Sequence, residues 1–335
     1  VSQTKQSQDV AASPAYVRAV DRGVEIAVRT VNVLGQWAGG VFDMIGVFLA
    51  RLLDGLGNAL NRIPAAGKIL RGMFHWLGTI LSAGFDLLSI LISSLVNLLT
   101  NGLGGIVRIL TGLLGSASAR DGGLVRKGLA DVLAGFTGAV IAIFAKTAAF
   151  VHAVVFMQMG ERPLNEHEKA IIRKVYRNSI ATQNIRVIEG FVGSFSTNNR
   201  PFALGNRIYM KHHDSATDPG LFAHECCHIW QYQREGVRYL IEALWAQWTV
   251  KKPYRWEAEI ERGNVRWQDF NREAQAQFVQ NLYTGGHRTP STNTAGEFYD
   301  DDPIGEAVEF NRNGVDYTDL ARDTITFIRN KGISG

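Results

Sequence analysis

From residue 68 to residue 101 the polar side chains recur every three or four positions: Lys68, Arg71, His75, Thr79, Ser82, Asp86, Ser89, Ser93, Asn97 and Asn101. Nearly everything between them is apolar or Gly, as in LLSILISSLVNLL. This spacing predicts one long helix with a narrow polar stripe on an otherwise greasy surface, the inverse of an ordinary surface helix. An amphipathic helical segment is expected before it, over about 16–62, with Asp43, Arg51, Asp54, Asn58 and Arg62 recurring at helical intervals. A third segment, 132–157, has the length of a bilayer span, interrupted only by Lys146 and His152. Its Gly135, Ala139, Ala142, Ala149 and Ala153 form a small-residue face of the kind on which membrane helices pack. A turn is expected at 115–123. One arrangement is a soluble bundle that buries almost all of its helical surface. The other is a membrane-associated domain whose striped residues, Arg71, His75, Ser82, Asp86, Ser89, Ser93 and Asn97, face one another or a water-filled path and not lipid.

The pattern changes at MGERPLNEHEKAI, 159–171, where Pro163 and a charged run begin a water-soluble region. A helix is expected at about 165–179, then β-like alternation in NIRVIEG and RPFALGNRIYMK. A helix should start at Pro219, with Asp218 as its N-cap, and end at Gly236. Further helices are expected near 237–250, 267–283 and 317–330, with an acidic cluster at Asp300, Asp301 and Asp302. The expected organisation is a polar N-terminus (1–14, with no secretory signal pattern), an apolar all-α domain (15–160), an α+β domain (161–285) and a polar C-terminal extension (286–335).

Charge sharpens the division. Of 35 Lys/Arg and 31 Asp/Glu, 13 and 8 precede residue 161, leaving 22 and 23 from that residue onward. The positive excess lies in the greasy half, which suits anionic lipid, and no dense basic patch with interleaved aromatics points to nucleic acid. The two cysteines, Cys226 and Cys227, are adjacent and point about 100° apart on a helix, so they are not expected to pair with each other.

Those cysteines lie inside LFAHECCHIWQYQ, 221–233. On a helix, His224 and His228 share one face and can present two imidazoles to one metal, while Glu225 stands beside them as a general base. The same pair would also serve as core histidines. Glu273, in FNREAQAQFVQ, is the expected third ligand, with Glu257 as its rival; Glu259 and Glu261 belong to a charged helix. His212 and His213 alternate on a strand and are poor ligands. His287, after two glycines, is either a transition-state stabiliser or an exposed loop residue. The β-like ALGNRIYMK, just upstream, offers an edge on which a substrate strand could pair.

The stretches ERPLNEHEKAIIRKVY, FALGNRIYMK, LFAHECCHIWQYQREG and FNREAQAQFVQ together resemble a small bacterial HExxH metallopeptidase-like family. It is gluzincin-like, sometimes labelled Vgr-related, and linked to extracellular contractile injection systems. The resemblance covers about 161–283 and says nothing of 1–160. It implies a zincin-like α+β fold, zinc held by His224, His228 and Glu273, Glu225 as catalytic base, and a bacterial, secreted or injected setting. Two positions depart from the family pattern: Cys226 and Cys227 replace aliphatic or Thr residues, and Gln277 stands where many gluzincins place a histidine-orienting Asp. The expected function is a zinc metallopeptidase joined to a membrane-inserting helical domain, acting on a peptide or protein, with a homo-oligomer or a larger assembly as its expected setting. The alternatives are an assembly protein with a structural zinc and, third, a pore former.

Overall fold

The computed structural model describes residues 15–64, 66–114, 122–158, 160–197, 199–288, 295–299 and 308–330. The polar start at 1–14, nearly all of the 115–123 turn and the acidic cluster at 300–302 lie outside the described residues. The chain divides into two compact units, one taking the described residues up to Val154 with Arg234–Glu242, the other the remainder.

The first unit is built on three long helices, α1 (Ala15–Leu60), α2 (Gly67–Leu114) and α3 (Gly122–Val154). All three are long and apolar enough to cross or associate with a membrane. Helix α3 begins ten residues before the expected apolar run, because GGLVRKGLAD, 122–131, is helical as well. Their packing is antiparallel. The Thr100 hydroxyl donates to Asn32 and Trp76 donates to the Ala153 carbonyl, joining the start of α1 to the end of α2 and the start of α2 to the end of α3. Glycine allows the approach: a Cβ on Gly105 would lie 2.5 Å from the Gly128 carbonyl oxygen, and one on Gly128 equally close to that of Gly105.

The polarity of this unit is inverted. Ser82, Asp86, Ser89, Ser93, Asn97 and Asn101 of the stripe are buried, as are Asp21, Asp43, Arg108, Asp131 and Lys146. Leu, Ile, Val and Phe side chains point outward, Trp37 and Phe144 each more than 70% exposed. Five of these buried charges form ion pairs. Lys146 meets Asp86 at 2.5 Å, and Arg108 bridges Asp21 and Asp131 at 2.6 Å each. At the start of the stripe His75 meets Asp54, while Arg71 is exposed.

The second unit is α+β. Strand β1 (Glu161–Pro163) leads to α4 (Glu166–Tyr176), whose N-terminus is closed by a capping box between Asn165 and Glu168. Strands β2 (Arg186–Glu189), β3 (Phe202–Leu204) and β4 (Arg207–Lys211) complete a mixed four-stranded sheet in the order β1-β2-β4-β3. β2 and β4 are parallel, and the other pairs antiparallel. The expected substrate edge is therefore corrected: within ALGNRIYMK, the strand 207–211 is interior, because β3 folds back at Gly205 and covers it, and β3 forms the edge. Helix α5 (Pro219–Glu235) packs over the sheet, followed by α6 (Arg238–Thr249), α7 (Glu257–Glu261), α8 (Arg272–Gly285), two-residue strands β5 (His287–Arg288), β6 (Val308–Glu309), β7 (Asn311–Arg312) and β8 (Val315–Asp316), and α9 (Thr318–Arg329). Gly236 takes φ +67°, a left-handed stop after α5.

The core joins Ile172 and Val175 of α4, Phe222 and Ile229 of α5, and Phe278 and Leu282 of α8. The expected separate extension after 285 supplies Phe298, Tyr299, Phe310, Ile325 and Ile328 to this same core. Ala321, Ile325 and Ile328 recur at helical intervals on α9, whereas Phe298, Tyr299 and Phe310 belong to no such run.

Candidate metal centre

Helix α5 is buried on almost every side, so the residues of its motif differ by what they meet. Cys226 and Cys227 face the apolar core, where burial pushes both thiols up. His224, Glu225 and His228 occupy the other side, each buried. Asn271 caps α8 by accepting from the backbone N–H groups of Glu273 and Ala274, which fixes Glu273 in the first turn.

That turn brings the Glu273 carboxylate to the two imidazoles. Its Oε2 lies 3.7 Å from His224 Nε2 and 3.5 Å from His228 Nε2, and one donor atom from each of the three residues falls within 4.8 Å of the others. Ligands about 2.0–2.1 Å from a tetrahedral zinc are roughly 3.3 Å apart, so the observed spacings suit atoms arranged around an ion.

The supporting bonds fit the same purpose. His228 Nδ1 faces the Gln231 side-chain oxygen at 2.8 Å, which sets Nδ1 as donor and leaves Nε2 free to ligate. Gln231 is held in turn, donating to Gln275 at 2.8 Å and to the Arg272 carbonyl. The other Glu273 oxygen accepts from Gln247 at 2.7 Å. His224 Nδ1 and Glu225 Oε2 are buried and lack a hydrogen-bond partner. Two imidazoles, a fixed carboxylate and an adjacent second carboxylate with an unpartnered oxygen form a donor set that fits zinc.

No known family model, curated protein or solved structure matches the chain. The chemistry of the centre therefore rests on its own geometry.

Its electrostatics follow from burial and mutual charge. Burial pushes the Glu225 carboxyl up, against the two imidazoles. Burial acts to lower His228, but the facing Glu273 carboxylate outweighs it and pushes the imidazole up to about 9. Glu273 is held well below the usual carboxylate range, because the imidazoles overcome its own desolvation.

The remaining sequence candidates stand elsewhere. Glu257 pairs with Arg312 at 2.8 Å; Glu259 is taken up by Arg262, Asn264 and Asn271, and Glu261 by Arg255. His213 lies 3.7 Å from Asp218. His287 sits on β5 with its ring 3.4 Å from Glu297. Gln277 bonds Asn281, and the orienting role foreseen for its position belongs to Gln231.

Two further residues join the centre. The Tyr254 ring lies 6.4 Å from the His224 ring, and the Arg200 guanidinium stacks 3.6 Å above Tyr254. Burial, with Glu273 next, pushes the Tyr254 phenol up to about 12, so it remains a proton donor. Gln231 was legible in principle, three residues after His228 on the same helix face. Gln247, Tyr254 and Arg200 come from separate segments, and no spacing announces them.

Proposed function

We propose that the protein is a zinc-dependent peptidase of the gluzincin-like kind, with a zincin-like second unit, joined to a membrane-active helical unit. The observation that carries the peptidase reading is the convergence of His224, His228 and Glu273 beside the buried carboxylate of Glu225. His224, His228 and Glu273 would hold the ion, which when bound supplies the Lewis acidity that activates water and polarises a carbonyl. Glu225 takes a proton from the attacking water as its oxygen bonds to the carbonyl carbon. It then delivers that proton to the amide nitrogen as the C–N bond breaks. Tyr254, protonated and backed by Arg200, donates to the oxygen on which negative charge develops, the role first considered for His287.

Among the described residues, the group suited to a metal has three members, which leaves a coordination position for water and favours catalysis over a structural staple. The inverted polarity of the helical unit supports membrane association over a soluble bundle. The sequence resemblance to the injection-system family adds a bacterial, secreted or injected setting to this reading.

Elemental analysis and a peptide-library digest test it together. His224→Ala should lose the metal, whereas Glu225→Gln should keep metal and fold while hydrolysis falls by a factor of at least about 100. Full zinc occupancy in His224→Ala would refute the ligand assignment. Equal cutting by wild type and Glu225→Gln, or cutting by neither, would leave only a structural zinc.

A further inference from the structure

The outward face of the helical unit contains a belt without exposed charge. In α1 the exposed charges Arg18, Arg22 and Arg29 stop before residue 30 and resume at Arg51; Asp43 between them is buried. That interval is about 32 Å at the helical rise, close to the roughly 30 Å hydrocarbon core of a bilayer. The antiparallel packing sets residues 78–100 of α2 and 135–153 of α3 beside it, since Gly78 abuts Ala50 and Gly135 abuts Asn101. The only charged residues of these two stretches are Asp86 and Lys146, both buried and paired with each other. Exposed Arg51, Arg62, Lys68 and Arg71 flank one end of the belt, and exposed Arg18, Arg22, Arg29 and Arg126 the other. This pattern of a charge-free belt between two cationic rims fits one occupant, a bilayer with anionic headgroups.

The path of the chain conflicts with that occupant. The chain leaves the bundle at the end of α3, where Trp76 bonds Ala153. It returns as Arg234–Glu242, where Asn97 donates to the Glu235 carbonyl and Arg238 meets Asp131 at 3.3 Å. Residues 76 and 97 lie about 31 Å apart along α2. Exit and return are therefore separated by the thickness of the belt. Between them, 155–233 belong to the compact α+β unit, which carries exposed charges such as Glu166, Arg173 and Arg177. With the belt in hydrocarbon and the segment docked, the chain between residues 154 and 234 would have to run from one side of the bilayer to the other.

We propose that the docked Arg234–Glu242 segment is a latch that holds the helical unit in its uninserted form, and that its release licenses insertion of the belt into an anionic bilayer. The latch is electrostatic and close-packed. Arg238 also pairs with Glu242 at 2.8 Å, and a Cβ on Gly138 would lie 3.2 Å from the Val237 carbonyl and 3.7 Å from Ile241. This inference rests on the membrane half of the proposed function and is independent of its metal chemistry.

The test uses the full chain and vesicles of phosphatidylcholine with phosphatidylglycerol, reading flotation that survives alkaline carbonate. Arg238→Glu sets a carboxylate against Asp131 and should raise the inserted fraction about tenfold. A second variant, Gly138→Cys with Ile241→Cys in a Cys226→Ser, Cys227→Ser background, should not insert when oxidised and should regain insertion when reduced. Leu95→Cys, added to Arg238→Glu in the same serine background and carrying an environment-sensitive dye, should report hydrocarbon only with vesicles. Equal insertion of the oxidised and reduced forms overturns the latch and leaves the membrane reading standing. If no variant floats and the dye is already shielded in a soluble oligomer, second copies of the chain cover the belt, and both readings fall.

Discussion

Glu168 illustrates how one side chain serves two levels of the fold. It closes the α4 capping box, accepts two bonds from Arg162 at 2.8 Å and one from Ser215 at 3.0 Å, and is fully buried. Burial alone would push the carboxyl up, but these donors hold it below its ordinary value of 4.5. A carboxylate with a lowered folded pKa contributes its stability fully above the unfolded value, and loses it as pH falls through the folded one. Acid titration of unfolding should therefore show a limb below about pH 4.5 that Glu168→Gln reduces. At the metal centre the corresponding residue is Gln231. Gln231→Ala should weaken zinc binding roughly 10- to 100-fold, by competition with a chelator, without loss of helix by circular dichroism. An unchanged affinity would show that the His228 tautomer is set by something else. The motif itself was readable from spacing, because four residues along a helix return to one face. Tyr254 and Arg200 were not, because each reaches the centre through the path of a loop.

At the scale of elements, buried ion pairs mark where the sequence pattern and the packing meet. Lys146 interrupts an apolar segment and Asp86 belongs to a polar stripe; neither suggests the other until α2 and α3 lie antiparallel. Asp86→Ala would leave an ammonium buried without its partner and should cost about 3–5 kcal/mol. Replacing both residues with Leu should recover most of that loss, read from thermal unfolding in detergent. In the α+β unit Glu161, on β1, lies within 3.1 Å of Arg186 and 3.6 Å of Arg207, all three buried. Glu161→Ala should be destabilising by a similar amount. The strands were legible as alternation, but their order was not. Sheet order depends on β3 doubling back over β4, a local turn at Gly205 that alternation does not encode.

The whole molecule combines two units with opposite surface logic. The α+β unit buries apolar residues and exposes charge, as water demands, while the helical unit buries charge and exposes apolar side chains. At about 25 cal/mol per Å² of apolar surface, bare exposure of that belt in water would cost tens of kcal/mol. Purified full-length protein should therefore need detergent or lipid, or self-associate, in sedimentation without either. A stable monomer in plain buffer would contradict the inverted bundle.

The sequence by itself determined the three long apolar helices, the narrow polar stripe, the place where the α+β region begins, and the helix of His224, Glu225 and His228 with Glu273 as the further carboxylate. Those features are local, carried by periodicity, capping and spacing along one stretch of chain. Tertiary structure alone decided which buried charges pair, which strand forms the sheet edge, which side chains orient His228 and Glu273, and that Arg234–Glu242 docks on the helical unit. Each of these depends on contacts between residues far apart in the chain, and hydrophobic periodicity is blind to such contacts because it records which face a residue takes and not what that face meets.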